Sequence, residues 1–280
     1  MRALAETLMK GRNQAIMVVM IAAMLPLLYW VSAAGVALIT LRKGVSEGVK
    51  LLFWGILPSI FWMLSGDPSA IMVISGTFAL AVLLRQTVSW QKVLIALIPA
   101  GVLCSFLLDV GLAPLLDQIA SSVQQLASER GAAFQDWPEQ RVRSLLVGVV
   151  SAFQVASMLV CLMLARSWQA KLYNPGGFQA EFHQLRLPVV LAVMLALVLL
   201  LSKIFAVDIS RWFALLLLPL IVAGLALIHG LVSKRGLNKG WLVATYASIV
   251  FVGPYMVTLL VILACVDALM DLRSRLPAKN

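Results

Sequence analysis

The stretch "SLLVGVVSAFQVASMLVCLMLA", Ser144–Ala165, runs for 22 positions without a charged side chain. A helix rises about 1.5 Å per residue, so about 20 apolar residues cross the roughly 30 Å hydrocarbon layer of a bilayer. A second stretch, "WFALLLLPLIVAGLALIHGLV" (Trp212–Val232), gives 21 more such positions when His229 is neutral. The chain as a whole is 62% hydrophobic and 12% charged. A soluble domain carries about 45–50% apolar and about 25% charged residues. The longest polar stretch, Asp109–Arg143, is too short to form a soluble domain. These features define an all-α polytopic transmembrane bundle, read as one integral membrane domain over residues 1–280.

Working outward, the apolar segments fall at roughly 14–41, 49–65, 69–84, 91–112, 144–165, 187–206, 210–232 and 240–270, about eight in all. The first and last are the longest, and each holds a breaker near its middle: Pro26 in one, Gly253-Pro254 in the other. Each is therefore a tilted, kinked helix or a pair of short helices forming a hairpin.

Charge separates these alternatives, because loops rich in Lys and Arg stay cytoplasmic. With hairpins at both ends, 17 of the 22 Lys and Arg residues lie on one side, and the sides carry net +12 and −2. A single crossing by the first segment would place either Arg2, Lys10 and Arg12 or Arg42 and Lys43 outside. The hairpin arrangement predicts a bacterial inner-membrane protein with both termini cytoplasmic. The basic N-terminus and following apolar run mimic a signal peptide, and the run continues to Leu41, as expected of an uncleaved anchor. The net charge of +10 is accounted for by cytoplasmic loops, and no nucleic-acid partner is expected.

Two connectors stand out. In the external loop 109–143, Leu112, Leu115, Leu116, Ile119, Val123 and Leu126 recur at helical spacing, predicting an amphipathic helix. "DWPEQ" then reads as a helix start, with Asp136 as cap. The loop 166–187 falls on "SWQAKLYNPGGFQAEFHQLRLP" (Ser167–Pro188). Asn174-Pro175-Gly176-Gly177 predicts a tight turn, and Phe178, Phe182 and Leu185 predict a short interfacial helix. Trp168 and Tyr173 suit the aromatic belt at the headgroups. If a cytoplasmic or membrane protein docks here, Tyr173, Phe178, His183 and Arg186 are the candidate contacts.

No catalytic motif occurs, so no enzymatic activity is expected. Cys104, Cys161 and Cys265 lie inside apolar runs without metal-ligand spacing and read as small buried hydrophobes. No metal or cofactor is expected. Among the charged residues near membrane ends, Lys203, Asp208 and Arg211 suggest snorkelling or a rim ion pair. Asp109 suggests a solvated helix end. Asp267 and Asp271 suggest a local knot with Arg273 and Arg275.

Uncharged polar residues form two stripes. Ser151, Gln154 and Ser157 lie three apart on one helix; Thr245, Ser248 and Tyr255 lie near the Gly253-Pro254 break. Such stripes either hold helices together or line a cavity. As a binding site the candidates are Gln154, Ser157, Ser151, Thr245 and Tyr255. Ala33, Gly35 and Ala37 provide a small-residue surface for close helix contact, internal or facing a partner.

Several short motifs carry a resemblance. They are the apolar hairpin leading into "LRKGVSEG" (Leu41–Gly48), the Trp-Tyr-Pro-Gly-Gly loop continuing through "FHQLRLP" (Phe182–Pro188), Tyr246, the Gly253-Pro254 break, and "VDALMDLRSR" (Val266–Arg275). Together these resemble the YybS-like family of uncharacterised bacterial inner-membrane proteins. That family is distantly similar to the substrate-binding S-components of energy-coupling-factor vitamin transporters. The resemblance implies transport-related binding of a small molecule, with the energising subunit elsewhere, and names no substrate. The alternative is a non-transporting scaffold or assembly factor acting through basic cytoplasmic loops. A transporter predicts a polar-lined cavity near Gln154 and Ser157, and a scaffold predicts a solid interior.

Overall fold

The computed structural model describes residues 2–130 and 136–275, without the side chains of Arg130 and Lys203. The ion pairing expected of Lys203 therefore lies outside the described residues. Within them the chain is entirely helical, in fourteen helices. In order these are α1 (Arg2–Lys10), α2 (Arg12–Met24), α3 (Tyr29–Lys43), α4 (Val45–Leu64), α5 (Ser69–Thr87), α6 (Trp90–Gly111), α7 (Ala113–Arg130) and α8 (Glu139–Tyr173). Then follow α9 (Gly177–Gln184), α10 (Val189–Ile204), α11 (Ser210–Lys234), α12 (Gly240–Phe251), α13 (Gly253–Met270) and α14 (Leu272–Arg275).

Six of these, α4, α5, α6, α8, α11 and α13, are long and apolar enough to cross a membrane, and α9 with α10 makes a seventh bent by 57°. The sequence expectation of about eight is close. The difference arises at the first segment, which divides into helices of 13 and 15 residues, each only about 20 Å long.

Helix contacts divide the chain into two compact units. The first runs to Pro175 and includes Ile209–Leu215; the second comprises Gly176–Asp208 and the chain from Leu216 onward. The boundary after Pro175 coincides with the expected turn, where Gly176 takes φ +84, a backbone region open to glycine at no steric penalty.

At the centre of the first unit lies α3, contacted by α1, α2, α4, α5 and α8. Every residue from Val31 to Leu41 is buried. The small side chains explain this, because Ser32, Ala33, Ala34, Gly35 and Ala37 let neighbouring backbones approach closely. A Cβ on Gly35 would sit 3.2 Å from Val19 of α2 and 3.3 Å from Leu8 of α1. The surface around Ala33 and Ala37 is thus internal.

Val19 and Gly35 are about equally far from the break at Leu25–Leu28, so α2 and α3 fold back on each other as a hairpin. Arg12 and Lys43 line the same crevice, which places both ends of the first apolar segment at one end of the unit. Near the hairpin tip, Trp62 Nε1 donates to the Ala23 carbonyl at 3.2 Å. Since Trp62 lies 17 residues into α4, the hairpin reaches about 25 Å along that helix.

The second unit repeats this reversal at the last apolar segment. His229 of α11 bonds Tyr246 of α12 at 2.9 Å. A Cβ on Gly224 would press on the Leu260 carbonyl of α13, and Lys234 Nζ donates to the Arg273 carbonyl at 2.5 Å. Along α11, then, α12 runs antiparallel and α13 parallel. The chain turns back at Val252, where Pro254 supplies no backbone N–H to continue the helix.

Other sequence expectations are corrected. α8 extends unbroken to Tyr173, so Arg166 and Trp168 belong to a helix rather than to the 166–187 connector. Trp168 is fully buried instead of sitting in the headgroup belt, because α8 is long enough to pack its last turns inside the unit. The amphipathic helix α7 forms where expected, but it buries Leu116, Ala120 and Ala127 and leaves Leu115, Ile119 and Leu126 exposed. α8 takes Pro138 as its N-cap, two residues after the predicted Asp136.

Candidate functional site

In the first unit a groove of about 370 Å³ lies between α5, α6 and α8. Helical spacing builds both walls. Met72, Ser75, Gly76, Ala79 and Leu83 project from α5, and Ala96, Ala100, Leu103, Cys104 and Leu107 from α6, with Met158 of α8 as the floor. Eleven residues separate the first and last lining positions on each wall, so the groove is about 16 Å long and runs along the helices. Its width comes from small residues, Gly76 and Ala79 facing Ala96 and Ala100. A Cβ on Gly76 would collide with the Met158 thioether. Ala79, Leu103 and Leu107 are exposed, which opens the groove on the outside of the bundle.

Its chemistry is apolar. Ser75 is the one hydroxyl in the lining, and it donates back to the Ile71 carbonyl at 2.5 Å. No charged side chain lines the groove. Such a surface selects by shape and apolar contact and offers little to a polar solute.

The predicted polar stripe lies elsewhere. Gln154 is buried and donates through Nε2 to Ser69 Oγ at 2.6 Å; its Oε1 has no partner. Ser151 is buried and donates to the Val147 carbonyl, and Ser157 donates to the Phe153 carbonyl. None of the three lines the groove, although Gln154 sits one turn from Met158. In the second unit, Thr245 donates to the Trp241 carbonyl and Tyr255 is largely exposed.

Beside the groove's Leu107 end is a charge network. Asp109 accepts from Arg143 Nη1 at 2.5 Å and from Arg211 Nη1 at 2.7 Å. Arg143 also bonds Asp117, while Arg211 donates to Ser105 Oγ and to the Ser105 carbonyl, both at 2.9 Å. The solvated Asp109 expected from sequence is thus a two-arginine anchor tying α6 to α8 and to the start of α11. Its partners are 34 and 102 positions away, which no local pattern reveals.

The docking candidates divide likewise. In the first unit, Tyr173 lies under the Arg42 guanidinium, 4.1 Å from ring centre to Cζ. In the second unit, Phe178 stacks near Phe182, and Phe182 meets His229 edge-on at 5.4 Å. His183 and His229, the only two histidines in the chain, lie 6.3 Å apart by ring centres. Arg273 clamps this end by donating to the His183 and Leu185 carbonyls at 2.5 and 2.7 Å and pairing with buried Asp267 at 3.4 Å. Arg186 pairs with Asp271 at 2.9 Å. The expected Asp-Arg knot exists but draws Arg186 in from far along the chain, while Arg275 donates to the Met270 carbonyl. Partial desolvation opposes ionisation of Asp271, yet the Ser274 N–H and the Arg186 guanidinium outweigh it and hold the carboxyl below the usual range.

Sequence reasoning missed the groove because its signal is an absence of bulk. Gly76, Ala79, Ala96 and Ala100 are small residues at matching heights on consecutive antiparallel helices. Among the described residues no group of three or more His, Cys, Asp or Glu side chains could hold a metal ion. No family model matches the chain, nor does any curated protein or solved structure.

Proposed function

We propose that this integral membrane protein binds a small apolar or amphipathic molecule, taken from the bilayer, in the groove between α5, α6 and α8. The observation that carries this reading is the cavity of about 370 Å³, predominantly apolar and open on the outer surface of the bundle. The role is binding rather than catalysis. It is transport-related in the manner of an S-component, as the resemblance to YybS-like proteins implies, and the substrate is less polar than the Gln154 and Ser157 stripe suggests. The one-sided distribution of basic residues supports a bacterial inner-membrane location with cytoplasmic termini.

A polyene fatty acid whose fluorescence rises in apolar surroundings tests the proposal on the purified protein. Ala79→Phe and Ala100→Phe fill the groove from its open side. Each buried methylene contributes about 0.8 kcal/mol, so displacing a few of them weakens the probe by about tenfold or more. Gln154→Leu leaves probe binding unchanged. Wild-type affinity in both filled variants would overturn the proposal and favour the scaffold alternative.

A further inference from the structure

A second crevice in the first unit lies between α2, α3 and α4, at the end where the basic residues gather. It is lined by Arg12, Lys43, Glu47 and Lys50 at its rim and by Ala15, Ile16, Ile39 and Leu51 below. Glu47 is already engaged by Lys50 at 2.6 Å. Arg12 and Lys43 are exposed and form no hydrogen bond or ion pair among the described residues. The rim therefore holds three cations around one carboxylate, with one cation in direct contact and the other two acting on it through space. Its interior, about 30 Å³, admits little more than a water, so a ligand must sit on the rim.

Below that rim the surface is apolar. On α4, Phe53, Leu57 and Phe61 are large and exposed. They recur every four residues and lie within about 60° of Lys50 around the helix, so α4 presents an apolar track leading away from the cations. A cationic rim above an apolar track matches a phosphate joined to acyl chains. Free phosphate would use only the rim. Packing between the hairpin and α4 fixes the three cations together: a Cβ on Gly55 would sit 3.1 Å from Val19 and 3.2 Å from Ser32.

We propose that this crevice is a headgroup site for an anionic glycerophospholipid, its phosphate held by Arg12, Lys43 and Lys50 and its chains laid along α4. The site is separate from the α5–α6–α8 groove, and failure of either reading leaves the other standing.

Native mass spectrometry of the full chain in detergent, titrated with phosphatidylglycerol or phosphatidylcholine, tests it. Wild type is expected to prefer phosphatidylglycerol, and each cation removed weakens that lipid about fivefold, on the scale of a basic residue near an anionic surface. Arg12→Gln with Lys43→Gln abolishes the preference, whereas Arg12→Lys with Lys43→Arg retains it. Lys92→Gln, a basic residue outside the crevice, and Ala100→Phe, in the groove, leave it intact. Inorganic phosphate in large excess does not displace the lipid. Equal binding of the two lipids by wild type, an undiminished preference in the double Gln variant, or full displacement by inorganic phosphate would each overturn the proposal.

Discussion

Replacing Asp109 with Ala removes the shared acceptor of two guanidinium groups. The Asp109, Arg143 and Arg211 side chains are 23%, 26% and 20% exposed, so all three are largely withdrawn from water. Removing one partner of a fully buried pair costs about 3–5 kcal/mol. Here partial exposure and the remaining acceptors, Asp117 for Arg143 and Ser105 for Arg211, reduce the loss to about 2–3 kcal/mol. For a chain of this size that is a fall in melting temperature on the order of 3–5 °C. Asp117, at 58% exposed with one pairing to Arg143, sets the control: Asp117→Ala costs under about 1 kcal/mol. Thermal unfolding in mild detergent, followed by tryptophan fluorescence, reads both, since Trp212 lies beside the network with its ring centre 5.4 Å from Arg211 Cζ. A double-mutant cycle between Asp109→Ala and Arg211→Ala should show coupling above about 1 kcal/mol. If Asp109→Ala matches Asp117→Ala, or if the two effects simply add, the anchor contributes nothing and the argument fails.

Further perturbations probe other parts of the molecule. Gly148→Ala in the first unit sets a Cβ against the Arg211 backbone carbonyl, and Gly224→Ala in the second sets one against the Leu260 carbonyl. Backbone cannot swing aside, so each should destabilise by about 1–3 kcal/mol in the same unfolding assay, and a neutral result would show that the helices separate freely. Trp168→Ala should cost about 3–5 kcal/mol because the side chain is fully buried, whereas a belt tryptophan would lose far less. Asp271 titrates below the usual carboxylate range, so its contribution is complete above the unfolded-state pKa and is lost as pH falls through the folded one. Acid should therefore lower the melting temperature of wild type more steeply than that of Asp271→Asn, and parallel pH profiles would contradict the pairing with Arg186.

Much of the architecture was legible because it follows from local periodicity. Ser144–Ala165 announces a spanning helix at any position in a fold, and Pro26 and Gly253-Pro254 interrupt helices for reasons internal to the backbone. Charge bookkeeping alone preferred hairpins at both ends, and the shared crevice of Arg12 and Lys43 in one unit and the Lys234–Arg273 bond in the other bear them out. Trp168 shows the limit. An aromatic near a membrane edge reads as a belt residue until the length of its helix is known.

What the sequence determined by itself was the solvent of this protein, the positions where its helices begin and break, and the segregation of its charges. These depend on residues within a few turns of one another. Only the tertiary structure decided which polar groups meet. Asp109 finds Arg211, His183 finds His229, and Arg186 finds Asp271, because helix packing brings distant side chains to the same end of a unit. The groove belongs to that second class as well. Two rows of small residues become a cavity only when α5 and α6 place them face to face over Met158, since empty space is a property of packing and of no single residue.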